Sequence, residues 1–174
     1  MRIVVIGCSG AGKTTLARAI AERLSVPHVE HDAIKWQPGW RDLERHDPDE
    51  FTRRLDVAIQ GDGWVLDGGA AIAYCRATHL VWLDYSRSVV MARIVQRSIS
   101  RTLLRTKLWG GNRERCRDML HASGPIRWAW DNWSRRRRET AERLARGDYA
   151  HLVTLRLRRP GEVQQAIEFL ATNT

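Results

Sequence analysis

The sequence predicts an α/β protein, a parallel sheet covered by helices on both faces, and two observations carry that prediction. The first is local. Ile3, Val4, Val5 and Ile6 form an apolar, mostly β-branched run that stops at Gly7, and after Thr14 the residues Leu16, Ile20 and Leu24 recur every four positions. That is a buried strand, a tight loop and an amphipathic helix in succession. The second is global: strand-like and helix-like stretches alternate along all 174 residues, the pattern of a parallel sheet with both faces buried. The length suits one domain with a full core.

The elements follow in order. Pro27 ends the first helix, and His28 to His31 reads as a second strand with Asp32 at its carboxyl end. The segment from Ala33 to Arg45, containing Trp36-Gln37-Pro38-Gly39-Trp40, is expected as an ordered loop. Asp47 as N-cap, Pro48 in the first turn and Glu50 three residues after the cap spell a capping box. Phe51, Leu55, Ala58 and Ile59 are the buried stripe of that helix, and Gly61 ends it. Trp64 to Asp67 is a third strand closing on Gly68-Gly69, and Leu80 to Leu83 a fourth, ending at Asp84. Ser86 is positioned to cap a long helix reaching about Leu108. Gly110-Gly111 breaks it, and a second helical stretch spans Ile126 to Arg146. His151 to Leu155 is a fifth strand. Pro160 opens a last helix carrying Val163, Ala166, Ile167 and Leu170.

Gly7-Cys8-Ser9-Gly10-Ala11-Gly12-Lys13-Thr14 is a complete G-x-x-x-x-G-K-S/T phosphate-binding loop. Successive backbone N–H groups in such a loop wrap a polyphosphate, the lysine reaches its outer phosphates and the threonine hydroxyl ligates magnesium. Its place at a helix N-terminus favours anions further. Gly7, Ser9, Gly10, Ala11, Gly12, Lys13, Thr14 and Thr15 are therefore candidate contacts for a nucleoside triphosphate. Ligands of parallel sheets bind beyond the carboxyl ends of the strands, where Asp32, Asp67-Gly68-Gly69 and Asp84 also arrive. Three carboxylates near one phosphate loop suit magnesium and a base. Asp67 is the candidate magnesium residue beside Thr14, or else a strand-end cap. Asp32 is positioned to accept a proton from, or orient, an attacking hydroxyl, or else to cap the next turn. Glu30, two residues earlier on the same side of a strand, is a weaker metal candidate. Trp36 and Trp40 flank a Pro-Gly turn and either stack on a flat acceptor or cover the core.

Charge is unevenly spread. The chain carries 29 basic and 20 acidic residues, but residues 85–146 alone hold 16 and 5 of them. Such a block implies an anionic partner, either phosphates in a closed site or a nucleic-acid backbone. Arg93, Arg97, Arg101 and Arg105 share one helix face, with Arg93 and Arg97 nearest the sheet and better placed to stabilise a moving phosphoryl group. Trp109 to Pro125 holds Gly110, Gly111, Arg113, Arg115, Arg117 and Gly124, the composition of a mobile basic lid. Of the cluster Arg135 to Arg138 on the next helix, one or two can face a site. Cys8, Cys75 and Cys116 are widely spaced, without a C-x-x-C pair, and suggest neither a disulfide framework nor a zinc site. Cys8 is either a small residue that fits the loop or a thiol whose pKa the helix N-terminus lowers. The apolar start is consumed at once by the loop, so it reads as neither a signal peptide nor a membrane span, and cytoplasmic residence with no membrane partner is expected.

This pattern resembles the adenylate-kinase-like group of phosphate-loop kinases, and within it the small bacterial topology-modulation or adenylate-kinase-related proteins. The residues that carry the resemblance are Ile6 to Thr14, His31-Asp32-Ala33 with Trp36 and Pro38-Gly39-Trp40, Trp64 to Gly68, and Leu83-Asp84 before the arginine helix. Arg93-Ile94-Val95-Gln96-Arg97 is similar to the arginine pair at the lid of nucleoside monophosphate kinases, and Arg159 to Val163 looks like the start of their last helix. The resemblance implies a three-layer P-loop NTPase fold with a five-stranded parallel sheet ordered 2-3-1-4-5 and an arginine-rich helical lid at 109–125. It implies a single kinase domain over 1–174 with 33–60 as the acceptor-binding segment. It also implies that Lys13 meets the transferred phosphate, that Arg93 lies near the adenine, and that Arg97 with Arg135 or Arg137 contacts phosphates. Nucleoside monophosphate kinases follow the third-strand Asp-Gly with Phe-Pro-Arg. Here Gly69-Ala70-Ala71 stands instead, so the arginine that holds the acceptor phosphate is missing there. Gly68-Gly69 and Glu30-x-Asp32 are similar to small-molecule kinases of the shikimate and gluconate type.

The function expected is a magnesium-dependent kinase moving the γ-phosphate of ATP to a small-molecule acceptor, with Asp32, Trp36, Trp40, Gly68 and Gly69 on the acceptor side. The alternative is a nucleic-acid-associated P-loop ATPase or nucleotide-dependent switch. No helix-turn-helix, zinc or aromatic-interleaved RNA motif accompanies the basic segment. A third reading is a nucleotide-binding regulator without turnover, against which Asp32, Asp67 and the lid arginines argue modestly.

Overall fold

The computed structural model describes residues 1–104, 106–113 and 124–173. Arg105, Arg115, Cys116 and Arg117 lie outside the described residues. In chain order the elements are β1 (Arg2–Gly7), α1 (Lys13–Leu24), β2 (His28–Glu30), α2 (His31–Lys35), β3 (Trp36–Gln37), β4 (Arg41–Asp42), α3 (Leu43–His46), α4 (Pro48–Ala58), β5 (Trp64–Asp67), α5 (Ala71–Arg76), β6 (His79–Leu83), α6 (Arg87–Leu103), α7 (Pro125–Ala145), β7 (Val153–Leu157) and α8 (Val163–Thr172). The main sheet is β2-β5-β1-β6-β7, every neighbouring pair parallel. Counted along its own strands this is 2-3-1-4-5, the order the resemblance implies. β3 and β4 pair antiparallel in a separate small ribbon.

Alternation along the strands builds two cores. Ile3 and Val5 of β1 join Val81, Leu16, Ile20, Ile167 and Leu170 on the face covered by α1 and α8. Val4 and Ile6 join Leu66, Leu80, Trp82, Leu55 and Ile59 on the face covered by α4 and α5. Both faces are dry, which is why the strands are nearly unbroken apolar runs. Register brings the strand ends level: Glu30 lies opposite Asp67, Asp67 opposite Val5, and Gly7 opposite Leu83.

Several boundaries differ from the sequence expectation. The segment 33–45 is not an extended loop but α2, the β3–β4 ribbon around a 3-10 turn at Pro38–Trp40, and α3. His31 belongs to α2 because its N–H donates to Asp67 Oδ1 at 3.1 Å, which ends β2 at Glu30 and puts Asp32 in a helical first turn. Half of the capping box forms. Asp47 Oδ1 accepts from the Glu50 N–H at 3.1 Å, whereas the Glu50 carboxylate is taken by Arg53 and Arg54. Ser86 does not cap α6; its hydroxyl meets that of Ser88 at 3.0 Å. α6 ends at Leu103 rather than near Leu108, where Leu103 and Leu104 are 76% and 74% exposed and the Leu108 N–H turns to Asn112 O at 2.8 Å. The fifth strand starts at Val153, two residues late, because residues 147–152 form a turn and Val153 is the residue whose N–H reaches Thr78 O beside β6.

Candidate active site

The phosphate-binding loop leaves β1 and enters α1 with Ala11 N–H donating to Cys8 O at 3.0 Å. Gly10, at φ +89°, is where α6 crosses: a Cβ there would lie 2.9 Å from Ile94 Cβ and from Val90 O. That close approach lets α6 deliver two arginines. Arg93 Nη1 donates to Ala11 O at 2.8 Å, its guanidinium 5.2 Å from the Tyr85 ring, and Arg97 Nη2 reaches Ser9 Oγ at 3.4 Å. Thr14 is half-buried in the first turn of α1 and Thr15 is exposed.

Lys13 sits at the centre. Burial pushes its ammonium below the ordinary lysine range, Asp32 and Asp67 pull it back, and Arg97 adds to the downward push. Asp32 is pushed up by burial, but the His31 imidazole, Lys13 and Lys35 outweigh that and hold its carboxyl below the usual range. His31 Nδ1 lies 3.7 Å from Asp32 Oδ1, and its ring is set edge-on against Phe51. Asp67 is buried, accepts from the His31 N–H and has His28 Nε2 at 3.8 Å.

Among the described residues no group of three His, Cys, Asp or Glu side chains is arranged to hold a metal. One buried carboxylate, Asp67, interacting with Lys13 of the loop, fits magnesium, which keeps several waters and takes other ligands from substrate phosphates. Thr14 would supply the hydroxyl. Glu30 does not fit that role: it is not on a strand shared with Asp32, and its carboxylate accepts from Trp109 Nε1 at 2.7 Å and Arg18 Nη2 at 3.3 Å. Asp84 is likewise spent, bound by Arg137 Nε at 2.6 Å and Arg156 Nη2 at 2.6 Å. The three carboxylates expected at the loop thus reduce to two.

A cavity of about 420 Å³ opens over the ends of β1, β5 and β6, floored by Gly68 and Gly69 and walled by Lys13, Tyr74 and α7. Gly68, at φ +146°, has no room for a side chain: a Cβ would lie 2.6 Å from His31 Cβ. Arg135, expected to contact phosphates, is not in the cavity wall and holds Glu139 at 3.0 Å and Asn132. Arg136, which sequence reasoning did not single out, lines it, with Arg137 and Arg143. Trp36 and Trp40 are not in its wall; they meet edge-to-face with ring centroids 5.7 Å apart. Asp32, too, lies outside that wall. The first residues of the expected lid dock onto the Trp36–Trp40 segment. Asn112 accepts from Trp40 N–H at 3.0 Å and donates to Gln37 O at 2.9 Å. Residues 114–123 of that lid are outside the described residues. Cys8 departs from an activated thiol: burial pushes it up, although Lys13 opposes this.

Residues 2–157 match the family described as an AAA domain. The chain belongs to this family. Two curated relatives are similar to part of the chain. It is 33% identical over 100 residues to the shikimate kinase of Symbiobacterium thermophilum, an overlap of 48% of this chain and 58% of that one. It is 35% identical over 128 residues to the adenylate kinase of Moorella thermoacetica, covering 63% and 58%. The chain spans about three fifths of the length of these relatives. The solved structure of deoxyadenosine kinase from M. mycoides superposes with a TM-score of 0.58 at 13% identity, covering 99% of this chain and 98% of that one, so the AAA-domain chain shares its fold. The resemblance to adenylate-kinase-like phosphate-loop proteins agrees with both comparisons. None of the described helices is long and apolar enough to cross a membrane.

Proposed function

We propose that this chain is a magnesium-dependent phosphotransferase that moves the γ-phosphoryl group of ATP to a hydroxyl of a small molecule. The observation that carries the reading is the convergence of Asp32, Asp67 and Arg97 on Lys13. Kinases among its relatives and fold neighbours support it. In this reading 1–174 act as one domain, with 33–60 serving the acceptor and 109–125 as lid.

The loop N–H groups and Lys13 bind and orient the phosphates. Magnesium, held by Thr14 and Asp67, supplies charge neutralisation on the phosphate oxygens. Arg97, anchored at Ser9, faces the charge that spreads over the moving group, and Arg93 flanks the loop beside Tyr85. The acceptor oxygen forms the new O–P bond as the bond to the bridging oxygen of ADP breaks, its electron pair leaving with ADP. A carboxylate held below the usual range is a weak base, so Asp32 orients the hydroxyl and takes its proton late, as a loose transition state permits. The nucleic-acid reading is the less favoured: among the described residues, Arg135, Arg137 and Arg138 each sit on a carboxylate of the chain.

The test is ADP release from ATP by purified protein across a panel of hydroxyl compounds, with Lys13→Ala alongside. An acceptor-dependent rate that vanishes in Lys13→Ala supports the reading. It fails if no acceptor accelerates release and Lys13→Ala leaves the basal rate unchanged.

A further inference from the structure

The cavity over Gly68 and Gly69 carries more positive charge than the chain neutralises. Lys13, Arg136, Arg137 and Arg143 line it. The acidic residues of the same wall are already committed: Asp84 to Arg137 and Arg156, Glu44 to Lys35 at 2.6 Å, and Glu139 to Arg135 at 3.0 Å. Among the described residues no carboxylate lies within ion-pair distance of Arg136, whose guanidinium has only the Trp128 ring, 5.8 Å away. Arg143 Nη1 meets a phenol, Tyr149 Oη, at 3.1 Å. At 100° per residue, Arg136 and Arg143 project within about 20° of each other, two turns apart on one flank of α7. The facing wall is aromatic, with the Tyr74 and Tyr149 rings 4.8 Å apart. Guanidinium groups left without a carboxylate in a concave site attract an anion and grip it bidentately.

We propose that the acceptor carries an acid group of its own, a carboxylate or a phosphate, seated on Arg136 beside Arg143, with the reacting hydroxyl toward Lys13. The proposal rests on the phosphotransferase reading and narrows it to anionic hydroxyl compounds. Uncharged polyols and nucleosides, which bring no anion to either guanidinium, are poor ligands of the site.

Calorimetric titration with ADP and magnesium present tests binding directly. The probes are shikimate, gluconate and AMP, each beside an uncharged counterpart: methyl shikimate, glucose and adenosine. The proteins are wild type, Arg136→Gln and Arg127→Gln, the last an exposed residue of the same helix that pairs with Asp131. At least one acid binds, its neutral counterpart binds about tenfold or more weakly, and Arg136→Gln loses about tenfold or more, while Arg127→Gln keeps wild-type affinity. Binding confined to shikimate or gluconate assigns a hydroxy acid; binding confined to AMP assigns a phosphorylated acceptor. The proposal is overturned if no acid binds, if neutral counterparts bind equally, or if Arg136→Gln leaves the affinity unchanged. A bound acid that never accelerates ADP release would instead sink the phosphotransferase reading while the anion site stands.

Discussion

Replacing Gly68 by alanine sets a methyl carbon 2.6 Å from His31 Cβ and 2.9 Å from His31 Cγ, against the 3.5 to 4.0 Å at which carbon atoms touch. Neither neighbour is the free end of a flexible chain. His31 is fixed by its N–H on Asp67 and by its ring on Phe51. Two costs add. The backbone, at φ +146°, is in a region nearly reserved for glycine, which costs an L-residue about 1–3 kcal/mol. Relieving the overlap by shifting α2 against β5 costs about 1–3 kcal/mol more. Restricting the unfolded chain returns about 0.4–1 kcal/mol. A net loss of about 3 kcal/mol follows from these terms, hence a fall in Tm of roughly 6–12 °C for a chain of this size. Urea and thermal unfolding of Gly68→Ala, beside Gly161→Ala whose added methyl meets nothing within 4 Å, measure it. Gly161→Ala stays within about 0.5 kcal/mol of wild type. A Gly68→Ala protein as stable as Gly161→Ala would refute the packing of His31 on the glycine, and with it the placement of Asp32.

Lys13→Met stabilises the free protein by about 0.5–2 kcal/mol at pH 7 while abolishing the rise in Tm that ATP and magnesium give wild type. Because burial holds the folded-state pKa below the ordinary 10.5, the charged lysine opposes folding fully below the folded value, and the gain shrinks as pH rises from there toward 10.5; a gain that grows with pH contradicts this. Asp84→Asn leaves two arginines facing an amide and costs about 3 kcal/mol in urea unfolding, the low end for a buried pair because Arg137 and Arg156 are 47% and 35% exposed; a neutral effect would mean the pair is not structural. Asn112→Ala removes the bonds to Trp40 and Gln37, so amide exchange at Trp40 and across residues 109–111 quickens at least about tenfold, and unchanged protection at Trp40 would show that the docking does not persist in solution.

How much of this was legible beforehand depends on the range of the forces involved. β1, the loop and α1 are written in consecutive residues, as is β5 over Trp64–Asp67. α2, β3, β4 and α3 are two to five residues long, too short for a period to declare itself. They are held from elsewhere in the chain, by Asp67 on the His31 N–H and by Asn112 on Gln37 and Trp40. The break at Gly110-Gly111 suggests a helix reaching about Leu108, but a breaker marks where a helix must have stopped and not whether anything lies against its last turn.

The register of α7 shows the same limit and a way past it. Four consecutive arginines carry no periodicity of their own, and an error of one position turns a helix by 100°. The small and apolar residues around them do carry phase. Of the apolar residues from Ala129 onward, Ala129, Trp133, Ala141 and Leu144 are buried or half-buried, and their steps, multiples of four and a final three, draw a single stripe that passes through Arg137. That stripe puts Arg137 on the seam where it meets Asp84. It puts Arg136, Thr140 and Arg143 together on one flank, where all three line the cavity, and Arg135 outside the wall, bound to Glu139 at its edge. The split of the run into one structural arginine, one for the cavity and two at the surface is therefore set by alanine, tryptophan and leucine, not by the arginines themselves.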